Sequence, residues 1–230
     1  MLISIVLPVY NQADHIQQVI EEYMFSLRNL TVPYEAILVV NGSKDRSMEV
    51  CLELAEKYPV VRVVESPKAG WGAAVRFGIA QAKGEQICYT NTARTRGKDL
   101  LLFLLYGMAH QDTVIKANRR IRDGIRRRIG SLFYNLEGRM LFDLYNWDIN
   151  GTPKVFQRRW TALLEMKSED DLIDLEFCVC CRENDLMVLE VPIFSTSRKS
   201  GRSTTGLFSA LKLYWGAYKL WKSRYGKRDV

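Results

Sequence analysis

Residues 87–97, ICYTNTARTRG, join an apolar strand-like run to a small polar turn and two arginines, with no carboxylate anywhere in the stretch. Ile87, Cys88 and Tyr89 suit a pleat, Asn91 and Thr92 offer neutral oxygens, and Arg94 and Arg96 follow as cations. A basic, acid-free strand end suits an anion, above all a phosphate, because a guanidinium fork pairs with two phosphate oxygens at once. Two earlier stretches also end an apolar run on polar residues. PVYNQ (8–12) carries Pro8, Tyr10, Asn11 and Gln12, and VNGSKDRS (40–47) carries Asn41, Ser43 and Asp45. Each also has a plainer use: Asn41-Gly42 is a common turn pair, and Ser43 with Asp45 can cap a following helix. KAGWGAAVRFG (68–78), with Lys68, Gly70 and Arg76, is rich in glycine but lacks the GxGxxG spacing of a dinucleotide site.

The elements that must position these groups alternate. Residues 2–10 read as a buried strand and 13–27 as a helix with Ile16, Val19, Ile20 and Tyr23 on one face. Residues 34–43 read as a second strand, 47–58 as a helix with Ser47 as its N-cap, and 60–66 as a third strand. A helix over 70–82 and a strand over 85–91 complete the rhythm. Strand–helix alternation predicts a mostly parallel α/β sheet flanked by helices, since parallel neighbours need a crossover. Ligands of such sheets bind outside the carboxyl ends of the strands. The three polar ends are therefore expected to meet in one crevice.

Length and charge set the bounds. At 230 residues the chain fits one large domain, read here as 1–203, with a C-terminal helix and basic tail over 204–230. Lys and Arg exceed Asp and Glu by 33 to 26, giving +7, which favours phosphate-bearing partners. MLISIVLPVY meets Pro8 too early for a secretory segment, and the apolar run 100–109 is too short to span a bilayer. Five cysteines, three of them in CVCC (178–181), have no second Cys or His cluster to complete a zinc site. They read as reduced core thiols of a cytosolic protein.

PVYNQADHIQQVIEEY, VVNGSKDRS, KAGWGAAVRFGIAQAKGE and DINGTPKVFQRR follow one another in the order found in family 2 glycosyltransferases. The chain most resembles the dolichol-phosphate mannose synthase and polyprenyl-phosphate sugar transferase branch, to which LEVPIFSTSRKSGRST and RRRIGSLFYN are also similar. The resemblance covers residues 1 to about 205. It implies a glycosyltransferase-A-type nucleotide-binding fold, a nucleotide-sugar donor and transfer with inversion. It places Pro8, Tyr10, Asn11, Gln12, Asn41, Ser43, Asp45, Lys68, Gly70, Arg76, Asn91, Thr92 and Arg94 on the donor side.

The departures are chemical. Gln12 stands where the family has Glu, and Val40 and Asn41 stand where it has one or two Asp. The family's Asp-x-Asp, which binds a divalent cation such as manganese or magnesium, is here Asn91 and Ala93. Asn and Ala make a poor site for a hard cation. The expectation is no metal cofactor, with Arg94 neutralising the donor's diphosphate; the alternative is an inactive homologue kept as a binding or partner protein.

The acceptor side keeps more of the pattern. Residues 116–128 hold seven Lys or Arg against Asp123, and Ile121, Ile125, Ile129 and Phe133 fall four apart. That spacing suits an amphipathic segment against anionic lipid, although a charge run is also simply a solvated face. The resemblance assigns Arg127 or Arg128 with Ser131 and Asn135, and Arg198, Ser200 and Ser203 opposite them, to the phosphate of a lipid acceptor. In the tail, Leu207, Leu211, Tyr214, Tyr218, Trp221 and Tyr225 form one helical stripe flanked by lysines. The stripe suits a membrane surface, or packing on this domain or on a twin subunit. For chemistry, Asp148 matches an acceptor-side Asp of the branch, or caps a loop. Asp174 and Glu176 resemble its Asp-x-Glu, of which one only can face the cleft. The expected location is the cytoplasmic face of a membrane, peripherally bound. The acceptor is a lipid phosphate or glycan, and no reader motif suggests nucleic acid.

Overall fold

A strand apolar on both faces must lie inside a sheet covered on both sides. β1 (Ile3–Val9) is buried at every position. The computed structural model describes residues 1–121, 125–194 and 207–226. β2 (Tyr34–Val40) and β4 (Gln86–Tyr89) flank β1 in parallel, with Val9 opposite Val40 and Val6 opposite Tyr89. β3 (Val61–Glu65) lies outside β2. Beyond β4 come β6 (Lys154–Gln157), β5 (Val114–Ile121) and β7 (Val188–Phe194), giving the order β3-β2-β1-β4-β6-β5-β7. β6 is antiparallel to both its neighbours, and the other described pairs are parallel.

Helices cover both faces. α1 (Ile16–Leu27), α2 (Ser47–Lys57) and α4 (Gly97–Ala109) close a core around Ile5, Leu7, Ile20, Leu38 and Phe103. α3 (Trp71–Gln81), α5 (Ile125–Phe142), α6 (Ile173–Glu183) and α7 (Leu207–Tyr225) close the other around Val6, Ile37, Tyr89, Phe156 and Phe177. β1 sits between β2 and β4, so the strand order reverses there and a crevice opens at the ends of these three strands.

Three details differ from the sequence reading. Ser47 is the first residue inside α2 and not its cap; Asp45 supplies the cap-like contacts, taking the Ser47 N–H at 3.1 Å. Residues 116–121 belong to β5, so Ile121 does not continue the helical series of Ile125, Ile129 and Phe133. Lys116 lies wholly buried, because alternate residues of a strand flanked on both sides point into a covered face. The tail stripe is divided: Tyr214, Trp221 and Tyr225 pack against the core, while Tyr218 faces outward beside Trp215, which lies off the stripe. α7 thus rests on the domain, with the Tyr214 hydroxyl donating to Gly130 O at 2.7 Å. The proposed boundary at 203–204 and the residues Arg198, Ser200 and Ser203 lie outside the described residues.

α3 approaches the sheet closely at Gly78, where an added Cβ would stand 2.3 Å from Val6 Cγ1 and 2.9 Å from Val39 Cγ2. Val side chains are stiff and cannot swing away. Gly78→Ala should therefore destabilise the chain by about 1–3 kcal/mol, read as a lower urea midpoint with an unchanged slope.

Candidate functional site

The three strand ends are joined by side chains. Asn11, at a φ of 47° that Asn tolerates, donates its N–H to Ser43 Oγ (3.1 Å) and accepts the Lys44 N–H on Oδ1 (2.8 Å). The Gln12 N–H donates to Ser47 Oγ (2.8 Å) and the Ala13 N–H to Asp45 Oδ2 (3.0 Å). Asn41 donates to Val9 O (2.9 Å) and accepts the Gly70 N–H (3.3 Å), joining β1, β2 and the entry to α3. Thr92 Oγ1 donates to Gln12 Oε1 (2.7 Å), bringing the turn after β4 against β1. Asn91 closes that turn by accepting the Ala93 N–H on Oδ1 (3.0 Å). Pro8 lies within β1, Tyr10 is exposed beyond it, and Arg94 is half-buried in the turn.

Lys68 and Arg76 are held by a strap over the start of α3. Lys68 Nζ meets Glu169 Oε1 at 2.6 Å, and Arg76 Nη1 donates to Lys167 O at 3.0 Å. The glycines permit this approach: a Cβ on Gly70 would lie 2.6 Å from Glu169 O, and one on Gly72 2.6 Å from both Ser168 O and Asp170 O. The glycine-rich stretch thus serves backbone packing under the strap.

On the other side of β4 the acidic candidates are all engaged. Asp148, 2% exposed, receives Arg119 Nε (2.7 Å) and the Arg119 N–H (2.9 Å) on Oδ2, and Nη2 (2.8 Å) on Oδ1. It acts as a holder of Arg119, whose Nη1 makes no hydrogen bond to a described residue. Asp174 receives the Tyr89 hydroxyl (3.0 Å), Trp71 Nε1 (3.1 Å) and the ammonium of buried Lys154. Glu176 points elsewhere, accepting the Lys167 N–H (3.0 Å), the Ser168 N–H (2.7 Å) and Arg224 Nη2 (3.1 Å). The two carboxylates of this i, i+2 pair point different ways: Asp174 joins α3, β4 and β6, and Glu176 anchors the strap and α7. Asn135 is likewise committed, accepting the Ile149 N–H at 3.0 Å and donating to Ser131 Oγ at 3.4 Å. The side chains of Arg127 and Arg128 lie outside the described set.

Burial and pairing set the charges. Burial lowers the Lys154 ammonium from its ordinary value, opposed by the nearby Asp174 charge. Burial would lower Arg119 too, but Asp148 outweighs it and raises the guanidinium. Burial would raise Glu176, yet the bonds from Ser168 and Lys167 and the Arg224 charge hold it below its usual value. The described cysteines are all buried and unbridged, and burial pushes the Cys51 thiol up to about 12, as befits inert core sulfur.

A hard dication has little to hold on to here. Ala93 has no ligand atom and is 1% exposed, Asn91 Oδ1 is committed to the turn, and Asp45 Oδ2 and Oδ1 are committed to Ala13 and Ser47. Among the described residues no three His, Cys, Asp or Glu side chains gather as a metal site. Sequence reasoning passed over Trp71, Tyr89, Lys116, Arg119, Lys154 and Glu190. The available signal was a charged residue at an inward strand position, as in VIKANRR and PKVFQ.

Residues 4–93 match the model of Glycosyl transferase family 2. Over that stretch, less than half of its length, the chain is similar to that family. It is 29% identical over 218 residues to an undecaprenyl-phosphate 4-deoxy-4-formamido-L-arabinose transferase of Pectobacterium carotovorum, covering 92% of the chain and 64% of that relative. It is 23% identical over 124 residues to a dolichol-phosphate mannosyltransferase of Pyrococcus furiosus, covering 54% and 35%. The chain thus spans under two thirds of the length of these relatives. In shape it is similar to glucosyl-3-phosphoglycerate synthase of Mycobacterium tuberculosis, crystallised with Mn2+, uridine diphosphate and phosphoglyceric acid. That likeness has a TM-score of 0.76 at 16% identity and covers 99% of this chain and 80% of that one. The fold is of the glycosyltransferase-A type.

Glu176 gives a test of the strap. Its folded value lies below its ordinary 4.5, so its stabilisation is present above that pH and is lost as pH falls through the folded value. Glu176→Gln should cost about 1.5–3 kcal/mol at pH 7. The difference in melting midpoint from the parent should shrink as the pH is taken below about 4.

Proposed function

We propose that this chain is a family 2 glycosyltransferase that moves a sugar from a nucleotide-sugar donor to the phosphate of a polyprenyl-type lipid at a membrane surface, and holds the donor diphosphate without a divalent cation. One observation carries the reading. Asp45, Asp148, Glu169, Asp174, Glu176 and Glu190 all accept hydrogen bonds from cations, amides or hydroxyls, so none is poised as a metal ligand or general base. A lipid phosphate needs no base, because its oxygen is already ionised at neutral pH. That oxygen would attack the anomeric carbon, the bond to the diphosphate would break, and the nucleoside diphosphate would leave with the electron pair. A single displacement of this kind inverts the centre.

Donor-side charge would come from Arg94 beside Asn91 and Thr92, with Lys68 and Arg76 at the α3 entry. On the acceptor side the edge of Arg119 that bonds no described residue would add positive charge. The relatives named for undecaprenyl-phosphate and dolichol-phosphate agree with this acceptor class. The same engaged carboxylates also suit an inactive homologue, and nucleotide binding separates the two.

No described helix is long and apolar enough to cross a membrane. Contact with a lipid surface, on the cytoplasmic side in keeping with the free thiols, would fall to the outer faces of α5 and α7. Leu132, Phe133, Leu136 and Met140 are exposed on the first, and Trp215 and Tyr218 on the second. No carboxylate occurs between Val191 and Arg228. Lysines beside aromatic rings at a headgroup boundary favour anionic lipid.

Uridine diphosphate, measured by titration calorimetry, should bind equally well with EDTA and with manganese. Arg94→Ala should weaken it by about one to two decades, the loss of a charge-assisted hydrogen bond. Binding that requires manganese would sink the cation-free reading, and no binding of any nucleoside diphosphate would favour the inactive homologue. The chain should co-sediment with anionic vesicles and be released by high salt, and Trp215→Ala with Tyr218→Ala should reduce the bound fraction. Equal sedimentation of that double variant would remove α7 from the lipid face.

A further inference from the structure

Four side chains stand in register across four neighbouring strands on one face of the sheet. Tyr89 on β4 faces Lys154 on β6, Lys154 faces Lys116 on β5, and Lys116 faces Glu190 on β7. Both lysines are 0% exposed. Two ammonium groups side by side in a covered sheet each need a counter-ion. Lys116 has Glu190 at 2.8 Å, and Lys154 has Asp174, brought down from α6.

The two pairs reach in opposite directions. Glu190 also accepts the N–H groups of Trp147 (2.9 Å) and Asp148 (3.1 Å), fixing the loop that holds Arg119. Asp174 accepts Trp71 Nε1 and the Tyr89 hydroxyl. Trp71 is the first residue of α3, directly after the Gly70 that bonds Asn41. Tyr89 is the last residue of β4, directly before the turn that bears Asn91 and Arg94. One carboxylate therefore gathers the α3 entry, the β4 end and β6.

An apolar pair of equal volume would stabilise the fold as well as a buried ion pair, or better. It could not accept directed hydrogen bonds from an indole and a phenol, whose buried polar ends require partners. We propose that Lys154 is a positioning residue: its ammonium fixes the Asp174 carboxylate, which sets the α3 entry against the β4-end turn, the two walls of the donor crevice. This rests on the reading of that crevice as the donor site. Asp174, with both oxygens occupied, has no role as a base in this scheme.

The test is Lys154→Met combined with Asp174→Asn, which removes both buried charges together. The double variant should keep a cooperative melting transition. Hydrogen exchange at residues 71–74 and 89–95 should quicken by roughly tenfold or more. Uridine diphosphate affinity should fall by about tenfold. Lys154→Arg, which keeps the charge, should bind uridine diphosphate within about threefold of the parent. A folded double variant with parental exchange in both segments, or with parental affinity, would overturn the proposal. If the double variant does not fold, Trp71→Phe takes its place, since it deletes one donor and leaves the ion pair. Parental exchange at 89–95 and parental affinity in that variant would also overturn it. If the parent itself binds no nucleoside diphosphate, the donor reading fails, while the exchange measurement still decides whether Lys154 sets the two walls.

Discussion

Parallel strands deliver their carboxyl ends to one edge, and at β1 the order of the sheet turns back on itself. That constraint organises the molecule. Neighbours on either side of β1 leave toward opposite directions, so no crossover fills the space between their ends. Into this gap the chain places short polar side chains that bond one strand end to the next. Asn41 joins three elements and Gln12 joins two. At its mouth the crevice is joined by amides and hydroxyls together with the Asp45 carboxylate.

Beneath the crevice the chemistry changes. Charged residues that would ordinarily be solvated are buried in pairs: Lys154 with Asp174, Lys116 with Glu190, Arg119 with Asp148. Each pair bears a large desolvation cost, so removing one partner leaves an isolated charge in a poorly polarisable surrounding. The pairing also ties down the buried carboxylates of Asp148 and Asp174. Their oxygens are occupied, and the residues that occupy them come from strands on which a change of register would reverse their facing.

The outer layer follows from burial of helix faces. α7 turns Tyr214, Trp221 and Tyr225 inward, with Ala217 fully buried and Gly216 against Leu172. Arg224 ties it to Glu176 and Glu183. What remains outward is the stacked pair Trp215 and Tyr218, with Lys219 over the Trp215 ring. The helix therefore joins two roles, a cover for the core and a surface of aromatic rings and cations.

The sequence by itself determined the elements of the first half and their meeting point. Ile16, Val19, Ile20 and Tyr23 carry a helical period, the strand runs break at Asn-Gly and Thr-Asn, and the alternation requires parallel pairing; local pattern suffices for that. It also carried the resemblance to family 2 glycosyltransferases, through motifs in order, and the chemical absence at Asn91 and Ala93. Only the tertiary structure decided the rest. IKANRRIRDG has charges on both sides of its apolar residues, and nothing local says that Lys116 faces inward, since its partner Glu190 lies 74 positions away. Asp148 and Asp174 were visible as acids, but their engagement by Arg119, Lys154, Trp71 and Tyr89 depends on strand register and on the seating of α6. The tail shows the same limit: a helical stripe reveals which residues share a face, and only packing on α5 and α6 decides which part of it is covered.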